Sequence, residues 1–408
     1  MTPPTIFRNA RLVEGNTLVI RDLAVQGGQF VAQPGDDFAE LDLGGQLVLP
    51  GFVDVHTHLD KGQQEAGIQN PDGTFDGAIA ALYPATPLPF DAADLRRRAD
   101  FALRCAFAHG TVALRSQIDS LWPEPERGLA VLREMAADWS DRIALSFTLL
   151  TAADAMVPGE ADRIGRTLAG IGALGGVFRG QDPTARARID VMLCAADAHG
   201  VDLDLHVDEI LDPASNGLET IADAAIAHGF QGRILCSHCC ALSVLPDSDA
   251  DRVLDKVARA GIALISLPLC NQYLLDRHPG RTPRWRPGTL VHEARARGIP
   301  VAFASDNARD PFYAYGDLDM LEVLREATRG LHLDHSGSLW LDTFTDTPAA
   351  LMGLSKLGHL TPGAAADFTV YPARRWSELL SRPHSDRVVY RRGKRIDAVV
   401  PPYATLDP

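Results

Sequence analysis

The chain has 408 residues, 46% of them hydrophobic, and a formal net charge of −14. This negative charge repels a phosphate backbone, and no stripe of lysine and arginine offsets it, so we expect a small-molecule partner and no nucleic acid. No apolar run is long enough to cross a bilayer and no signal segment follows Met1, which predicts a cytoplasmic protein without a membrane partner. The six cysteines are scattered through strand-like and helix-like segments, so we expect reduced, mostly buried thiols.

The beginning of the chain favours short strands and turns without a helix. Predicted strands there span residues 6–12, 17–25, 29–31 and 46–49. From residue 52 to about residue 331 the pattern changes to apolar strand-like runs that alternate with amphipathic helical stretches, which is typical of βα units around a parallel sheet.

Eight strands are predicted in this alternating region, and eight βα units close into a barrel. The strands span residues 52–56, 111–118, 143–150, 171–178, 201–207, 233–238, 262–267 and 300–304. Helices between them include residues 92–109, 185–199, 218–228, 249–260 and 290–297.

The tail returns to strands after a helical region near residues 340–354. Strands are predicted over residues 367–371, 388–391 and 396–400, and we expect them to pair with the strands of the head. The predicted fold class is α/β, a (β/α)8 TIM-like barrel over residues 51–355. A small β-sandwich domain built from both termini would comprise residues 1–50 plus 356–408.

Two histidines spaced two apart, His56 and His58, end the first barrel strand. Alternate residues of a strand point to the same side, so both imidazoles can reach one metal ion. His206, His238 and Asp306 fall at the ends of later strands, on the rim where such barrels carry their catalytic groups. Nitrogen and oxygen donors without thiolate suit divalent zinc or iron with an open position for water.

Some of these residues allow more than one interpretation. Glu209 follows His206 by three residues and either shuttles protons from water to a leaving nitrogen or is a carboxylate at a helix N-terminus. Asp306 is a ligand, a base or a helix cap before Pro311, and its place past strand eight favours the first two. A single histidine at a strand end, such as His238, more often has its hydrogen bonds satisfied within the protein than takes part in a functional site.

These residues resemble the amidohydrolase superfamily, and within it the cytosine deaminase-like branch, to which N-isopropylammelide amidohydrolase is related. The resemblance covers nearly the whole chain. The motifs that carry it are Leu49-Pro-Gly-Phe-Val-Asp-Val-His-Thr-His-Leu-Asp60, His206-Val-Asp-Glu-Ile210, Ser237-His238, Asp306-Asn-Ala-Arg-Asp-Pro-Phe-Tyr-Ala-Tyr-Gly316 with Asp319-Met-Leu321, and Gly363-Ala-Ala-Ala-Asp-Phe-Thr-Val370.

The resemblance implies a role for each residue of the rim. One metal ion, Zn²⁺ or Fe²⁺, would be held by His56, His58, His206 and Asp306. A single ion is expected because the bridging lysine of two-metal relatives is not found on the fourth strand. His238 would hydrogen-bond the attacking hydroxide and Glu209 would carry protons, so the expected catalytic residues are Glu209, His238 and Asp306. The implied reaction is attack of metal-bound hydroxide on an amidine-like carbon of a heterocycle, with loss of ammonia or an amine.

Departures from the branch concern the substrate. Cytosine deaminases typically have His at the position of Gln117, a second Asp at that of Asn307 and Trp at that of Phe312. These changes argue against cytosine itself. They leave a nitrogen-rich ring with an exocyclic amine as the expected substrate, such as a cytosine-like pyrimidine, an isoguanine-like purine or an aminotriazine. The expected substrate contacts are Lys61, Gln63, Gln117, Asn271, Asn307 and Phe312. Lys61 could instead be an exposed loop lysine, and Phe312 could simply pack the rim.

Two further motifs have competing interpretations. The segment Cys236-Ser-His-Cys239-Cys240 imitates a CxxC box, but strand alternation places Cys236 and Cys239 on opposite faces, which favours buried thiols. The arginine-rich stretch at residues 277–286, after strand seven, either anchors a ligand or forms a solvated surface.

Two other functions fit the same motifs. A rival within the superfamily cleaves a cyclic or linear amide C–N bond with the same ligands. A rival of another class is a barrel without catalysis that serves as a binding or assembly module, although the intact ligand set and Glu209 argue against it. We also expect a homo-oligomer.

Overall fold

The computed structural model describes residues 3–64, 67–83, 90–119, 125–151, 156–384 and 386–407. The chain begins with five strands and, up to the barrel, no helix among the described residues. These strands are β1 Thr5–Glu14, β2 Thr17–Gln26, β3 Gln29–Val31, β4 Ala39–Asp42 and β5 Leu47–Pro50. β4 was not predicted from the sequence; it has only four residues, and all of them are exposed.

Eight parallel strands then follow one another around a barrel, in the order of the chain. They are β6 Phe52–Thr57, β7 Thr111–Asp119, β8 Ala144–Thr151, β9 Gly172–Phe178, β10 Asp202–Val207, β11 Ile234–His238, β12 Ala263–Ser266 and β13 Val301–Phe303. Thr57 pairs with Asp306, just after β13, and this pairing joins the last strand to the first. The predicted barrel is confirmed, with every strand end within one residue of its predicted position.

Helices cover the outside of the barrel. They are α1 Phe75–Leu82, α2 Ala92–His109, α3 Pro125–Trp139, α4 Pro158–Leu168, α5 Ala185–His199, α6 Gly217–His228, α7 Asp247–Arg259, α8 Pro268–Leu274, α9 Val291–Ala296, α10 Met320–Leu331, α11 Asp346–Leu351 and α12 Trp376–Ser381. Helix α2 shows why such segments are helical: the Asp91 carboxylate accepts the N–H groups of Ala93 and Asp94, and Gly110 ends the helix with a φ of 99°. No helix in the described ranges combines enough length with enough apolar character to cross a bilayer.

The terminal strands share one sheet. The tail contributes β14 Phe368–Tyr371, β15 Val388–Arg391 and β16 Lys394–Arg395, and β14 pairs with β5 of the head. The sheet folds back on itself where the Phe30 N–H donates to the Ala364 carbonyl at 3.0 Å. It encloses a core of its own in which Phe7 packs edge-on against Phe368 at 5.0 Å. The expected small β structure from both termini is therefore present, while the domain limits at residues 50 and 356 stay a prediction.

The prediction for the last strand was wrong. Residues 396–400 are not a strand. The strand covers only Lys394–Arg395, directly after a tight turn at Arg392 and Gly393, both with positive φ, and one further hydrogen bond joins the N–H of Ile396 to the carbonyl of Val389 at 3.0 Å. The apolar residues beyond the turn are mostly exposed because the chain leaves the sheet there. The helical region predicted near residues 340–354 is split into a 3-10 helix at Leu341–Phe344 and α11.

Candidate metal centre and substrate cavity

Five polar side chains meet at the carboxyl end of the barrel strands: His56, His58, His206, His238 and Asp306. Oδ1 of Asp306 lies 3.4 Å from Nε2 of His56 and 3.3 Å from Nε2 of His58. The ring centre of His206 lies 4.6 Å from that of His56 and 5.0 Å from that of His238. The structure therefore brings together all the residues predicted as metal ligands.

Several atoms of this cluster are buried without a hydrogen-bond partner among the described residues: Nε2 of His56, Nδ1 of His58, Nδ1 of His206, Nε2 of His238 and both carboxylate oxygens of Asp306. Unpaired buried groups of this kind cost free energy unless something binds them. Two groups of three ligands, both containing His56, have donor atoms within 4.8 Å of one another. Imidazole nitrogen and carboxylate oxygen are donors that suit zinc and iron, so the residues fit a divalent cation.

Burial keeps three of the imidazoles neutral. It lowers the pKa of His58 to about 4 and that of His238 to about 3. Burial also holds the pKa of His206 well below its usual value, and the neighbouring His56 adds to the effect. A neutral imidazole has a free lone pair, so His58 and His206 can bind a cation near neutral pH without first losing a proton.

Two residues of the cluster have a left-handed backbone conformation, with φ 68° at His238 and 64° at Asp306. Such values are unusual for residues other than glycine and need support from their surroundings. The Thr289 hydroxyl donates to the carbonyl of His238 at 2.6 Å. The Asp306 N–H donates to the carbonyl of His56 at 2.9 Å, and the Thr57 hydroxyl donates to the carbonyl of Asp306 at 2.7 Å. These hydrogen bonds fix the directions in which the two side chains leave the backbone.

His56 is oriented by a side chain of β11, a strand that does not lie beside β6 in the barrel. The Ser237 hydroxyl lies 3.0 Å from Nδ1 of His56, and both residues are fully buried. A hydrogen bond to one ring nitrogen of a histidine leaves the other to bind a metal ion and fixes the ring plane. Ser237 therefore explains why Nε2 of His56 faces Asp306.

Glu209 lies on the loop after β10, where a proton carrier was predicted. Its Oε1 atom lies 3.5 Å from Nδ1 of His238. Burial, reinforced by the negative charge of Asp306, raises the pKa of Glu209 to about 8. A carboxyl group that titrates near neutral pH is suited to both accepting and donating a proton.

The alternative interpretation of Glu209 as a helix-terminus carboxylate is not supported. That position belongs to Asp208, whose carboxylate accepts the N–H of Leu218 at 3.0 Å in the first turn of α6. Asp306 likewise caps no helix, since the turn that follows it is capped by Asp310, which accepts the N–H of Phe312 at 2.8 Å.

The cluster opens into a cavity of about 410 Å³. Phe75, Phe178 and Phe312 provide aromatic walls, and Glu209 and His238 are also exposed to its interior. This volume is within the usual range for small-molecule sites. Aromatic walls with a few polar groups between them suit a flat, nitrogen-containing ring.

Lys61 lies in the cavity wall and is only 4% exposed, which rules out the alternative of an exposed loop lysine. Nζ of Lys61 donates to the Asp119 carboxylate at 2.9 Å, and the Tyr83 hydroxyl donates to the same carboxylate. Nζ also lies 4.5 Å from the centre of the Phe312 ring. Burial opposes the charge of Lys61, but Asp119 and Asp60 raise its pKa, so the side chain stays cationic.

Three of the six predicted substrate contacts line the cavity, namely Lys61, Asn307 and Phe312. The Asn307 amide is held in place because its nitrogen donates to Asp310 at 2.7 Å. The Asn271 amide is not part of the wall; its nitrogen lies 2.9 Å from Nδ1 of His238 and 3.3 Å from Oε1 of Glu209. Asn271 therefore orients other groups of the site.

Gln117 and Gln63 also lie outside the wall. Strand β7 continues to Asp119, so Gln117 is one layer deeper in the barrel, where its amide donates to Asp204 at 3.3 Å. The backbone N–H of Gln63 donates to the carbonyl of Ala308 at 3.0 Å, and its side chain is buried. These positions do not support the predicted contact of either glutamine with a substrate.

Sequence analysis missed five polar groups of the wall: Tyr83, Asp119, Arg179, Asp182 and Arg188. A signal existed for Asp119, because it continues the inward-facing alternation of its strand by one step. No comparable signal existed for Tyr83, since its place depends on how α1 packs over the barrel mouth.

The other two motifs are structural. Cys236 and Cys239 are buried free thiols, and Sγ of Cys239 lies 3.7 Å from the carbonyl oxygen of Cys236. Cys194 is the exposed exception among the six cysteines, all of which are free. In the arginine-rich stretch, Arg281 pairs with Asp276, and no residue of that stretch lines the cavity.

Known proteins share this architecture. The amidohydrolase family matches residues 39–83 and 147–397, more than half of the chain. The pterin deaminase of Rhizobium rhizogenes is 46% identical over 91% of this chain and 85% of that protein. The N-isopropylammelide isopropyl amidohydrolase of a Pseudomonas species is 24% identical over 90% of each. The crystal structure of 5-methylcytosine deaminase from Klebsiella pneumoniae with 5-fluorocytosine has a TM-score of 0.81 and 25% identity, and the match covers 96% of this chain and 97% of that chain.

These similarities confirm the predicted enzyme class, a metal-dependent hydrolase that acts on non-peptide C–N bonds and deaminates a nitrogen heterocycle. They give no support to a non-catalytic binding or assembly module. The chain belongs to the amidohydrolase family.

Proposed function

We propose that the chain hydrolytically removes the exocyclic amine of a pterin, a bicyclic pteridine ring with an amine on its pyrimidine half. The observation that carries this proposal is the place of Glu209, a buried carboxyl group beside a cation-binding cluster in a cavity with aromatic walls. The pterin deaminase relative, 46% identical over most of both chains, supports the choice of ring.

One divalent cation, Zn²⁺ or Fe²⁺, would be held by His56, His58 and Asp306, whose donor atoms lie within 4.8 Å of one another, and by His206. When bound, such a cation makes a water molecule easier to deprotonate near neutral pH. Glu209 takes one proton from the attacking water and gives it to the ring nitrogen. It then takes the second proton of that water and gives it to the amine, which leaves as ammonia while the oxygen remains as a ring carbonyl. His238, held by Asn271, donates a hydrogen bond to the attacking oxygen.

The ring lies between the aromatic walls. Lys61 donates a hydrogen bond to a carbonyl oxygen of the ring, because its ammonium group has donors left beyond the one used by Asp119. Phe312 packs against the face of the ring, and Asn307 contacts the edge of the ring. Gln63 and Gln117 are left out of the contacts because they lie behind the wall.

An ammonia-release screen of the metal-loaded protein tests the proposal. We expect the highest kcat/KM with pterin among pterin, cytosine, isoguanine and an aminotriazine, and no ring-opened product from lactams or hydantoins. Turnover of amides alone would favour the amide-cleaving alternative, and release from none of the amines would contradict the proposal. We also propose a homo-oligomer and a cytoplasmic location, both on the basis of the sequence alone. Light scattering would measure the number of subunits.

A further inference from the structure

Among the residues that the structure describes, the cavity wall contains three cationic side chains, and two of them are paired with a carboxylate. Lys61 donates to Asp119 at 2.9 Å, and Arg188 donates to Asp182. Arg179 forms no ion pair with any carboxylate of the described residues. Of the three cations named here, Arg179 is therefore the one without an ion-paired carboxylate.

Arg179 follows β9 and is fixed at one end of its guanidinium group. Its Nε atom donates to the backbone carbonyl of Glu209 at 3.1 Å. The guanidinium carbon lies 4.2 Å from the centre of the Phe75 ring, so the plane is also held by an aromatic contact. The terminal Nη1 and Nη2 atoms have no acceptor in the described part of the chain and remain available to a ligand.

Arg188 lies in the same wall, and both of its terminal nitrogens are hydrogen-bonded within the protein. Its Nη1 donates to the carbonyl of Val177 at 3.1 Å, and its Nη2 donates to Asp182. Its guanidinium carbon lies 4.6 Å from the centre of the Phe178 ring. Both terminal nitrogens of Arg188 are thus used by the protein, whereas those of Arg179 are not.

We propose that Arg179 forms an anion subsite that binds a carboxylate carried by the substrate ring. A guanidinium group whose two terminal nitrogens are free matches the two oxygens of a carboxylate, and the match is stronger where aromatic walls exclude water. Since the Arg179 guanidinium lies against Phe75, the carboxylate would sit on the part of the ring next to Phe75. This inference rests on the proposed function and narrows its substrate class to pterins with an acidic substituent on the pyrazine half.

Equilibrium binding tests the subsite without relying on turnover. The probes are two fluorescent pterins that differ in a single substituent, a carboxylate or the uncharged carboxamide, titrated into the metal-loaded protein. We expect the wild type to bind the carboxylate more tightly. Arg179→Gln should weaken binding of the carboxylate by about 10-fold to 100-fold and that of the carboxamide by much less, because charge-assisted hydrogen bonds are lost only with the former.

Arg284→Gln is the matched control, since it removes one positive charge from an exposed position outside the cavity. We expect this variant to bind both probes as the wild type does. The inference is overturned if the wild type shows no preference, or if Arg179→Gln and Arg284→Gln change the ratio of the two affinities equally. Ammonia release from the same probes, measured in parallel, reports on the proposed function separately: tight, Arg179-dependent binding without release would contradict only the deaminase activity.

Discussion

The Glu209 carboxyl group lies 3.5 Å from Nδ1 of His238, and the amide nitrogen of Asn271 contacts both, at 3.3 Å and 2.9 Å. An amide nitrogen can only donate, so Nδ1 of His238 accepts a hydrogen bond and the ring proton resides on Nε2. His238 therefore presents an N–H group to the site, while Glu209 presents a carboxyl group that can take up or release a proton. One side chain, Asn271, thus sets the roles of two others.

Replacing Glu209 with glutamine should leave the cation bound and remove most turnover. Glutamine keeps the size of the side chain but cannot transfer a proton, so we expect kcat to fall by about 100-fold to 10,000-fold. Steady-state ammonia release and elemental analysis of the same sample measure both quantities. Glu219→Gln, which changes a carboxylate on α6 outside the cavity, is the control. Near wild-type turnover in Glu209→Gln would show that another group carries the proton.

Replacing Asp306 with alanine should weaken retention of the cation and lower the rate together. Its carboxylate contacts both His56 and His58, so its loss removes one donor and leaves those rings without a shared partner. We expect at least about 10-fold weaker metal binding, measured by competition with a chelator. Asp276→Ala, which removes an almost buried carboxylate that does not line the cavity, serves as the comparison. Unchanged metal content together with unchanged activity would show that Asp306 is no ligand.

The stability of the metal-free protein should depend on pH through Glu209. Burial raises the pKa of Glu209 from 4.5 to about 8, so between these values the folded chain holds a proton that the unfolded chain has lost. Stability therefore falls as pH rises through this range, by at most about 1.4 kcal/mol per pH unit for this one group. Burial lowers the pKa values of His58 and His238 from 6.5, so these two residues make stability rise with pH. They do so only below pH 6.5, because above pH 6.5 both are neutral in the folded and the unfolded state.

Urea unfolding of the metal-free wild type and Glu209→Gln at pH 6.5 and pH 8 isolates this effect. We expect the variant to gain stability relative to the wild type toward the higher pH. An equal difference between the two proteins at both pH values would mean that Glu209 is not protonated in the folded state.

Much of the fold and the centre of the site followed from the sequence. The inward alternation of a strand predicts that His56 and His58 leave β6 on the same side, and the barrel pattern predicts that His206 and Asp306 reach the same rim. These are consequences of backbone periodicity and strand order. Periodicity and strand order do not depend on the conformation of the loops, so the structure brings these residues together as predicted.

The walls of the cavity could not be derived in this way. Gln117 was predicted to face the substrate, but the strand extends one residue further than predicted and places Asp119 at the rim instead. Tyr83 and Phe75 depend on how α1 packs across the barrel mouth, and Arg179 depends on a hydrogen bond to a backbone carbonyl of another loop. Such contacts join distant segments without any periodic pattern, so the sequence alone does not reveal them.

The free energy of unfolding should depend on a buried ion pair in the barrel interior, below the site. Arg115 donates to Asp204 at 3.0 Å, and both side chains are almost completely buried. Replacing Arg115 with methionine leaves the buried Asp204 carboxylate without a cationic partner and should cost roughly 3 to 5 kcal/mol of unfolding free energy. The double variant Arg115→Met with Asp204→Leu should lose much less than the sum of the two single variants. Additive losses in urea unfolding would show that the two residues do not interact.

The central claim is that His56, His58, His206 and Asp306 together bind one divalent cation that supports deamination. Anomalous diffraction from crystals of the purified protein, collected on either side of the zinc and iron absorption edges, tests it most directly. We expect one strong anomalous peak per chain, within bonding distance of the imidazole nitrogens and the Asp306 carboxylate. A catalytically active protein without anomalous density among these side chains would contradict it.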